Sequence, residues 1–301
     1  MDGQLILSCS SFAYSVDPEP VSWPKGEAMP PICGIAVKGG KLYLANRSLL
    51  YPVAVFSEDG QFISGFGREC CFVRSHGLWV DDDGSLFVCD DGRHVIYHFS
   101  AEQEIISTLG TLDKPSDNGY DPTVPWPHDL YTITRAGEPF NRPTDIIRAA
   151  DGRLYVADGY GNTAVHRFSG DEKHELTWGG PGKENGQFRL PHTLCEDGKH
   201  RIWVCDRENH RIQIFTTDGE FIHGIERMDM PSECWCDGKY MYVIEGFGFL
   251  SIYDFDYRRV ARMGYPQSLL SGAHSIAGDE HGNLYVGFIN GPYKLIRLNR
   301  L

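Results

Sequence analysis

No stretch of this chain approaches the roughly eighteen uncharged apolar residues that a membrane-spanning helix requires, so no span is expected. Basic charge is scarce as well. The 28 Lys and Arg stand against 41 Asp and Glu, a formal net charge of −13. A protein that tracks a phosphate backbone needs a basic footprint, and this one repels phosphate overall, so nucleic acid is excluded as a partner. The opening residues, MDGQLILSCSS, put an acid where a secretory leader needs a base, and their apolar run is only four residues long. No leader is expected from such a start.

The 301 residues include 41% hydrophobic and 12% aromatic side chains with 34 Gly and 17 Pro. That balance describes a turn-rich globular protein and excludes a disordered or coiled-coil chain. Length alone would suggest two domains, yet all-β folds of this size often form one, and the expectation is a single domain over 1–301. Nine cysteines is an odd count, and several, such as Cys89 and Cys205, lie in strand-like runs where a thiol behaves as a small buried apolar group. The expected setting is a reducing cytoplasm.

An internal repeat organises the chain. Five stretches share one phrase: IAVKGGKLYLAN (35–46), HGLWVDDDGSLFVCD (76–90), TDIIRAADGRLYVAD (144–158), HTLCEDGKHRIWVCD (192–206) and HSIAGDEHGNLYVGF (274–288). A degenerate sixth is ECWCDGKYMYVIE (233–245). Each reads as an apolar strand, a short Asp/Gly turn and a second strand ending at a polar or acidic residue, which is a β-hairpin signature; no helical period fits. Two more strand-like runs follow each hairpin, so the unit is four antiparallel strands in about forty residues, one propeller blade. The fold class expected is all-β, a six-bladed β-propeller. The last copy runs out at Leu301 after about three strands, and the N-terminal segment around Ser10–Val16 is left to supply the fourth and close the ring. The spacing between the second and third copies is longer than the rest, and the surplus falls at 111–141, rich in Pro, Gly, Asp and aromatics. A loop this long is a candidate lid, with Trp126, His128 and Tyr131 as pocket walls, or an ordinary surface insertion.

One register position, at the start of the phrase, holds Gly34, His76, Thr144, His192, Glu233 and His274. Histidine thus occupies alternate blades. The first strand of a propeller blade lines the central channel, so the three rings would converge on one axis. A lone propeller histidine is usually structural; the alternating set is the argument for a metal tripod. Three neutral imidazoles favour Zn²⁺, with Fe, Cu or Ni also fitting, and leave a coordination position open to substrate. A set of carboxylates and Asn in the same places would instead have indicated the calcium-dependent lactonase type of propeller. The residues just after the second strands should surround the same mouth, and among them are Arg47, Tyr160 and Arg207. Arginines near a cation in an acidic protein need an anionic counterpart, which a substrate carboxylate supplies, although Asp206 or Glu208 could equally pair with Arg207. A tyrosine beside a cation and arginine can act as a base, or else Tyr160 is a hairpin-tip aromatic packed on its neighbour. Asp90, Asp158 and Asp206 read as blade-to-blade hydrogen-bond partners.

The phrases NRPTDIIRAADGRLYVADGYGNTAVHRF, FRLPHTLCEDGKHRIWVCDRENHRIQIF and HGLWVDDDGSLFVCDDGRHVIYHF resemble NHL repeats, and the order of motifs over 31–299 resembles peptidyl-α-hydroxyglycine α-amidating lyase. The resemblance implies zinc held by His76, His192 and His274, substrate contact by Arg47 in LANRS, and a base at Tyr160 in the DGY turn. The family's last zinc motif reads Met-Pro-His-Asp where this chain has Gly272-Ala273-His274-Ser275, so structural Ca²⁺ is doubtful on this reading and backbone carbonyls near Leu78 are its remaining donors. Cysteines of the family's disulfides are replaced by Gly161, Trp203 and Ile214. The expected function is a zinc-dependent lyase that cleaves the C–N bond of a small carbinolamide-type substrate bearing a carboxylate, held by Arg47 and Arg207. The alternatives are a hydrolase or hydratase reaction on the same three histidines, and a non-catalytic NHL binding propeller.

Overall fold

The computed structural model describes residues 5–301; Asp2, on which the reading of the opening residues rests in part, lies outside them. The chain forms a six-bladed β-propeller of antiparallel sheets, five of them four-stranded and built from consecutive strands and the sixth combining N-terminal with C-terminal strands. The six first strands are Ile32–Lys38, Ser75–Val80, Pro143–Arg148, Pro191–Glu196, Pro231–Cys236 and Ala273–Gly278. Each is the first arm of a hairpin at the repeated phrase, as the turn chemistry dictates.

Burial follows strand order within a blade. The second strands read as nearly unbroken apolar runs because both of their faces are covered. Leu44, Val88, Val156, Val204, Val243 and Val286, one at the same place in each, are all fully buried. The fourth strands, such as Ile105–Gly110 and His174–Gly179, are mostly exposed or half-buried and carry the polar residues. An outer edge kept short and polar resists pairing with other chains.

Residues 72–231 form one compact unit, carrying blades two, three and four. Its core includes Phe188, Leu194, Val204 and Phe215 in one cluster and Phe87, Phe140, Ile146 and Val156 in another. Residues up to 71 and from 232 onward form the other, with blades one, five and six. There Phe12 and Tyr14 join Leu250, Ile252, Val286 and Leu298.

The closure expected of the N-terminal segment is present: Phe12–Asp17 pairs antiparallel with Leu295–Arg300, matching Tyr14 to Arg300 and Asp17 to Arg297. A further strand, Ile6–Cys9, adds a fifth to the same sheet. None of the nine cysteines is in a disulfide among the described residues; Cys89 and Cys205 are fully buried inside strands, where they pack as apolar side chains.

Asp90, Asp158 and Asp206 are hydrogen-bond partners, but within their own blades rather than between blades. Asp90 accepts the N–H groups of Val73 and Arg74 at 3.0 and 2.9 Å, Asp158 that of Asn141 at 2.8 Å, and Asp206 that of Arg189 at 2.9 Å. Each acid at the end of a second strand therefore fixes the segment that enters the first strand of the same sheet, just ahead of the register position.

Candidate metal centre

The register position is irregular in its backbone. Pairing of first and second strands skips between Ser75 and Leu78, between Pro191 and Leu194, and between Ala273 and Ser275, so each histidine sits in a bulge. A bulge inserts an unpaired residue and re-aims its side chain. His76, His192 and His274 are 1%, 0% and 6% exposed.

Two of the rings are oriented by a backbone carbonyl of the following blade. His76 Nδ1 lies 2.6 Å from the Thr144 oxygen, and His274 Nδ1 lies 3.1 Å from the Cys33 oxygen. A carbonyl only accepts, so Nδ1 carries the proton in both rings and Nε2 is left with the lone pair, the tautomer that binds a metal. The contact is close enough to demand glycine next door. A Cβ on Gly77 would fall 2.6 Å from the same Thr144 oxygen.

Carboxylates on the intervening blades hold the histidine-bearing strands. Asp145 accepts the Leu194 N–H at 3.0 Å, and Glu233 accepts the Ile276 N–H at 3.1 Å. Leu194 and Ile276 each stand two residues after a histidine. Burial pushes the Asp145 carboxyl up to about 7, against the opposing effect of the Leu194 and Ile146 backbone bonds.

Tyr160 stands at the turn after the second strand of blade three and is 6% exposed. Its hydroxyl lies 3.2 Å from His76 Nε2 and 3.1 Å from His192 Nε2, with the His76 and His192 ring centroids 5.0 Å apart. Gly159 permits this approach, because a Cβ there would overlap the Pro191 carbonyl. Three guanidinium groups lie over the Tyr160 ring: Arg74 at 5.0 Å, Arg142 at 5.4 Å and Arg207 at 5.7 Å. Arg207 is 7% exposed and bonds Glu208 at 3.1 Å, so the local acid partner read from the sequence is engaged, while its guanidinium also lies 5.7 Å from the Trp126 ring.

The insertion at 111–141 supplies part of these walls. Leu130 and Ile133 are buried with Tyr160 and Leu190, and the Trp126 ring meets Tyr160 edge-on at 5.9 Å. Tyr131 lies 62% exposed beneath the Arg189 guanidinium at 4.1 Å, and His128 is exposed. Arg47, in the other unit, is half-buried and donates from Nε to Cys33 Sγ at 3.0 Å, so it is linked through Cys33 to the carbonyl that orients His274.

The sequence reading did not single out Arg74 and Arg142. A signal existed: arginine stands two or three residues ahead of the register position in blades two, three and four, as Arg74, Arg142 and Arg189. Periodic inspection of the strands alone passes over it.

His76, His192 and His274 each offer a ring nitrogen, and these atoms all lie within 4.8 Å of one another, so the buried group can hold a metal ion. The donor chemistry fits such an ion. Where Nδ1 is spent on a carbonyl, Nε2 is available, and one phenolic proton on Tyr160 can serve only one of the two imidazole lone pairs it faces; a cation shared by the nitrogens removes that conflict.

A family model described as NHL repeat matches residues 188–215. Peptidyl-glycine alpha-amidating monooxygenase B of Xenopus laevis is 31% identical over 188 residues, 58% of this chain and 19% of that protein. A probable peptidyl-alpha-hydroxyglycine alpha-amidating lyase of Caenorhabditis elegans is 30% identical over 169 residues, 54% of this chain and 43% of that one. The matched region thus spans less than half the length of either relative. Among solved structures, a gluconolactonase of Xanthomonas campestris superposes with a TM-score of 0.67 over 99% of this chain and 98% of its own, at 15% identity, a likeness of fold. The repeat match, the six blades and relatives bearing the amidating-lyase name bear out the resemblance drawn from the sequence.

Proposed function

We propose that this protein is a zinc-dependent lyase acting on a small N-acyl α-hydroxyglycine-like substrate, breaking its C–N bond to release an amide and an α-oxo acid. The observation that carries the reading is the Tyr160 hydroxyl within hydrogen-bond distance of the Nε2 atoms of His76 and His192, two of the three rings grouped closely enough to hold one ion. His76, His192 and His274 would hold the zinc, which when bound supplies Lewis-acid polarisation of a hydroxyl.

The chain's own residues do the rest. Tyr160, acting as the phenolate after its own proton has been lost to solvent, takes the proton of the carbinol hydroxyl; the O–H electrons form the new C=O, the C–N pair leaves on nitrogen, and the same proton returns to that nitrogen. No net proton is consumed, so one residue can serve as base and then acid. Arg207, pinned by Glu208 and packed on Trp126, holds the substrate carboxylate, with Arg47 as the second donor. Trp126 and Leu130 from the insertion shield the phenol from bulk water. The relatives named as amidating lyases support this assignment over other chemistry on the same residues.

The test is elemental analysis of the purified protein followed by a glyoxylate assay on N-acyl α-hydroxyglycines. About one zinc per chain and glyoxylate release are expected. A metal-bearing protein with no glyoxylate release would move the assignment to a hydrolase or hydratase, and a stable metal-free protein to a binding propeller.

A further inference from the structure

Residues 72–231 enclose a second feature beside Tyr160, a cavity of about 530 Å³. Its walls include Arg74, His94, Asn118, Tyr120, Asn141 and Arg142, so it joins the entry segments of blades two and three to the 111–141 insertion. The wall is a built one. Asn118 donates to the Gly161 carbonyl at 2.8 Å, Asn141 donates to the Ser116 carbonyl at 3.2 Å, and the Tyr120 hydroxyl donates to Asp129 at 2.8 Å.

Two arginines and one histidine are among its lining residues. Arg74 and Arg142 share one carboxylate, the fully buried Asp91, at 3.1 and 3.2 Å. Asp117 at the same wall is paired with Arg135 at 3.2 Å. Arg142 is further committed to Tyr120, donating from Nη1 at 2.8 Å. Arg74 is held only at Nε; its side chain is 35% exposed, and its two terminal nitrogens make no hydrogen bond among the described residues. His94 accepts the Arg142 N–H through Nδ1 at 3.1 Å, so as a neutral ring it carries its proton on Nε2 and is a further donor. A guanidinium fixed at one nitrogen with a planar pair of donors left over is preorganised for a carboxylate.

We propose that this cavity is a second anion-recognition site, which takes a carboxylate carried on the acyl portion of the substrate, and that the protein therefore selects dianionic substrates. The naming of the acyl portion rests on the lyase reading; the recognition of the anion does not. Both arginines also lie over the Tyr160 ring, so a carboxylate held by Arg74 sits one side chain away from the proposed base.

The experiment is calorimetric titration of the whole protein with N-succinylglycine and with N-butyrylglycine, which lacks the second carboxylate, in wild type, Arg74→Gln and Arg74→Lys. The expected result is about tenfold tighter binding of the succinyl compound by wild type, a ratio near one in Arg74→Gln and an intermediate ratio in Arg74→Lys, since lysine keeps the charge and loses the fork. Reading the ratio within each variant removes any general effect on Tyr160 or on folding, and if Arg74→Gln does not fold, the lysine ratio decides. Equal binding of the two probes by wild type, binding of neither, or a ratio unchanged by the substitutions overturns the proposal. Acid preference without glyoxylate release from any substrate would defeat the lyase reading alone; glyoxylate release with equal KM for acidic and neutral acyl groups would defeat the cavity proposal alone.

Discussion

The two compact units use the same blade and the same histidine setting for different amounts of chemistry. His76 in the unit 72–231 and His274 in the other both sit in a strand bulge and both give Nδ1 to a carbonyl of the following blade. Around them the units part. Two positions before the register residue, the unit containing His274 has Ile32 and Gly272, neither of them charged. The unit 72–231 has Arg74 and Arg142 at those places, Arg189 one residue earlier in blade four, and the insertion as well. The ligand set is spread over alternate blades, whereas the groups that read charge and surround the phenol are concentrated in one unit. Cation binding and substrate recognition should therefore be separable by mutation.

The largest effect tests the shared part. His192→Ala and His274→Ala should each weaken metal binding by more than about a hundredfold, because loss even of a group that only orients a ligand costs 10- to 100-fold. Metal content after dialysis checks this, and glyoxylate release should fall with it in both variants. If His274→Ala kept its metal and its turnover, the unit 72–231 would suffice by itself and the two histidine settings would not be equivalent.

Next come the residues confined to one unit. Tyr160→Phe should keep metal yet lose about 10²- to 10⁴-fold in kcat, the range for a positioned acid or base. Arg207→Ala should raise KM about tenfold with a smaller change in kcat, and Arg207→Lys should recover little, since a lysine is not a bidentate donor. Arg47→Ala should raise KM less, because its Nε is already given to Cys33. An Arg47 effect larger than that of Arg207 would place the carboxylate contact chiefly in the other unit and reverse the contrast.

How much of this could be read from the sequence follows from what repeats. Val88, Val156 and Val204 recur with the phrase, so blade number and strand order were legible, and the strand partner for Leu295–Arg300 followed from a count that came up one short. The histidine register was legible for the same reason. Arg74 and Arg142 were not, because what brings them to Tyr160 is the folding of entry segments fixed by Asp90 and Asp158, an arrangement with no sequence period. The Nδ1 bonds were also hidden, since their acceptors are backbone oxygens that any residue could supply. Ile6–Cys9 follows the closing strand in space but precedes it in sequence, so the four-strand count left no place for it.

The smallest effect on activity concerns the carboxylates that hold the bulged strands. Asp145, buried and held near 7, binds its proton more tightly in the folded chain than at the ordinary carboxylate value of 3.8. Between about pH 4 and 7 the folded state therefore carries more protons than the unfolded one, and stability falls as pH rises through that window. Asp145→Asn keeps an oxygen to accept the Leu194 N–H and removes the ionisation. The urea midpoint of the variant should then fall less between pH 5 and 8 than that of wild type, by a difference on the order of 1 kcal/mol in unfolding free energy. Glu233 makes the matching bond to Ile276 in the other unit, so Glu233→Gln offers the paired measurement. Identical pH slopes in wild type and Asp145→Asn would mean that the buried carboxyl is not what couples protons to the fold of blades three and four.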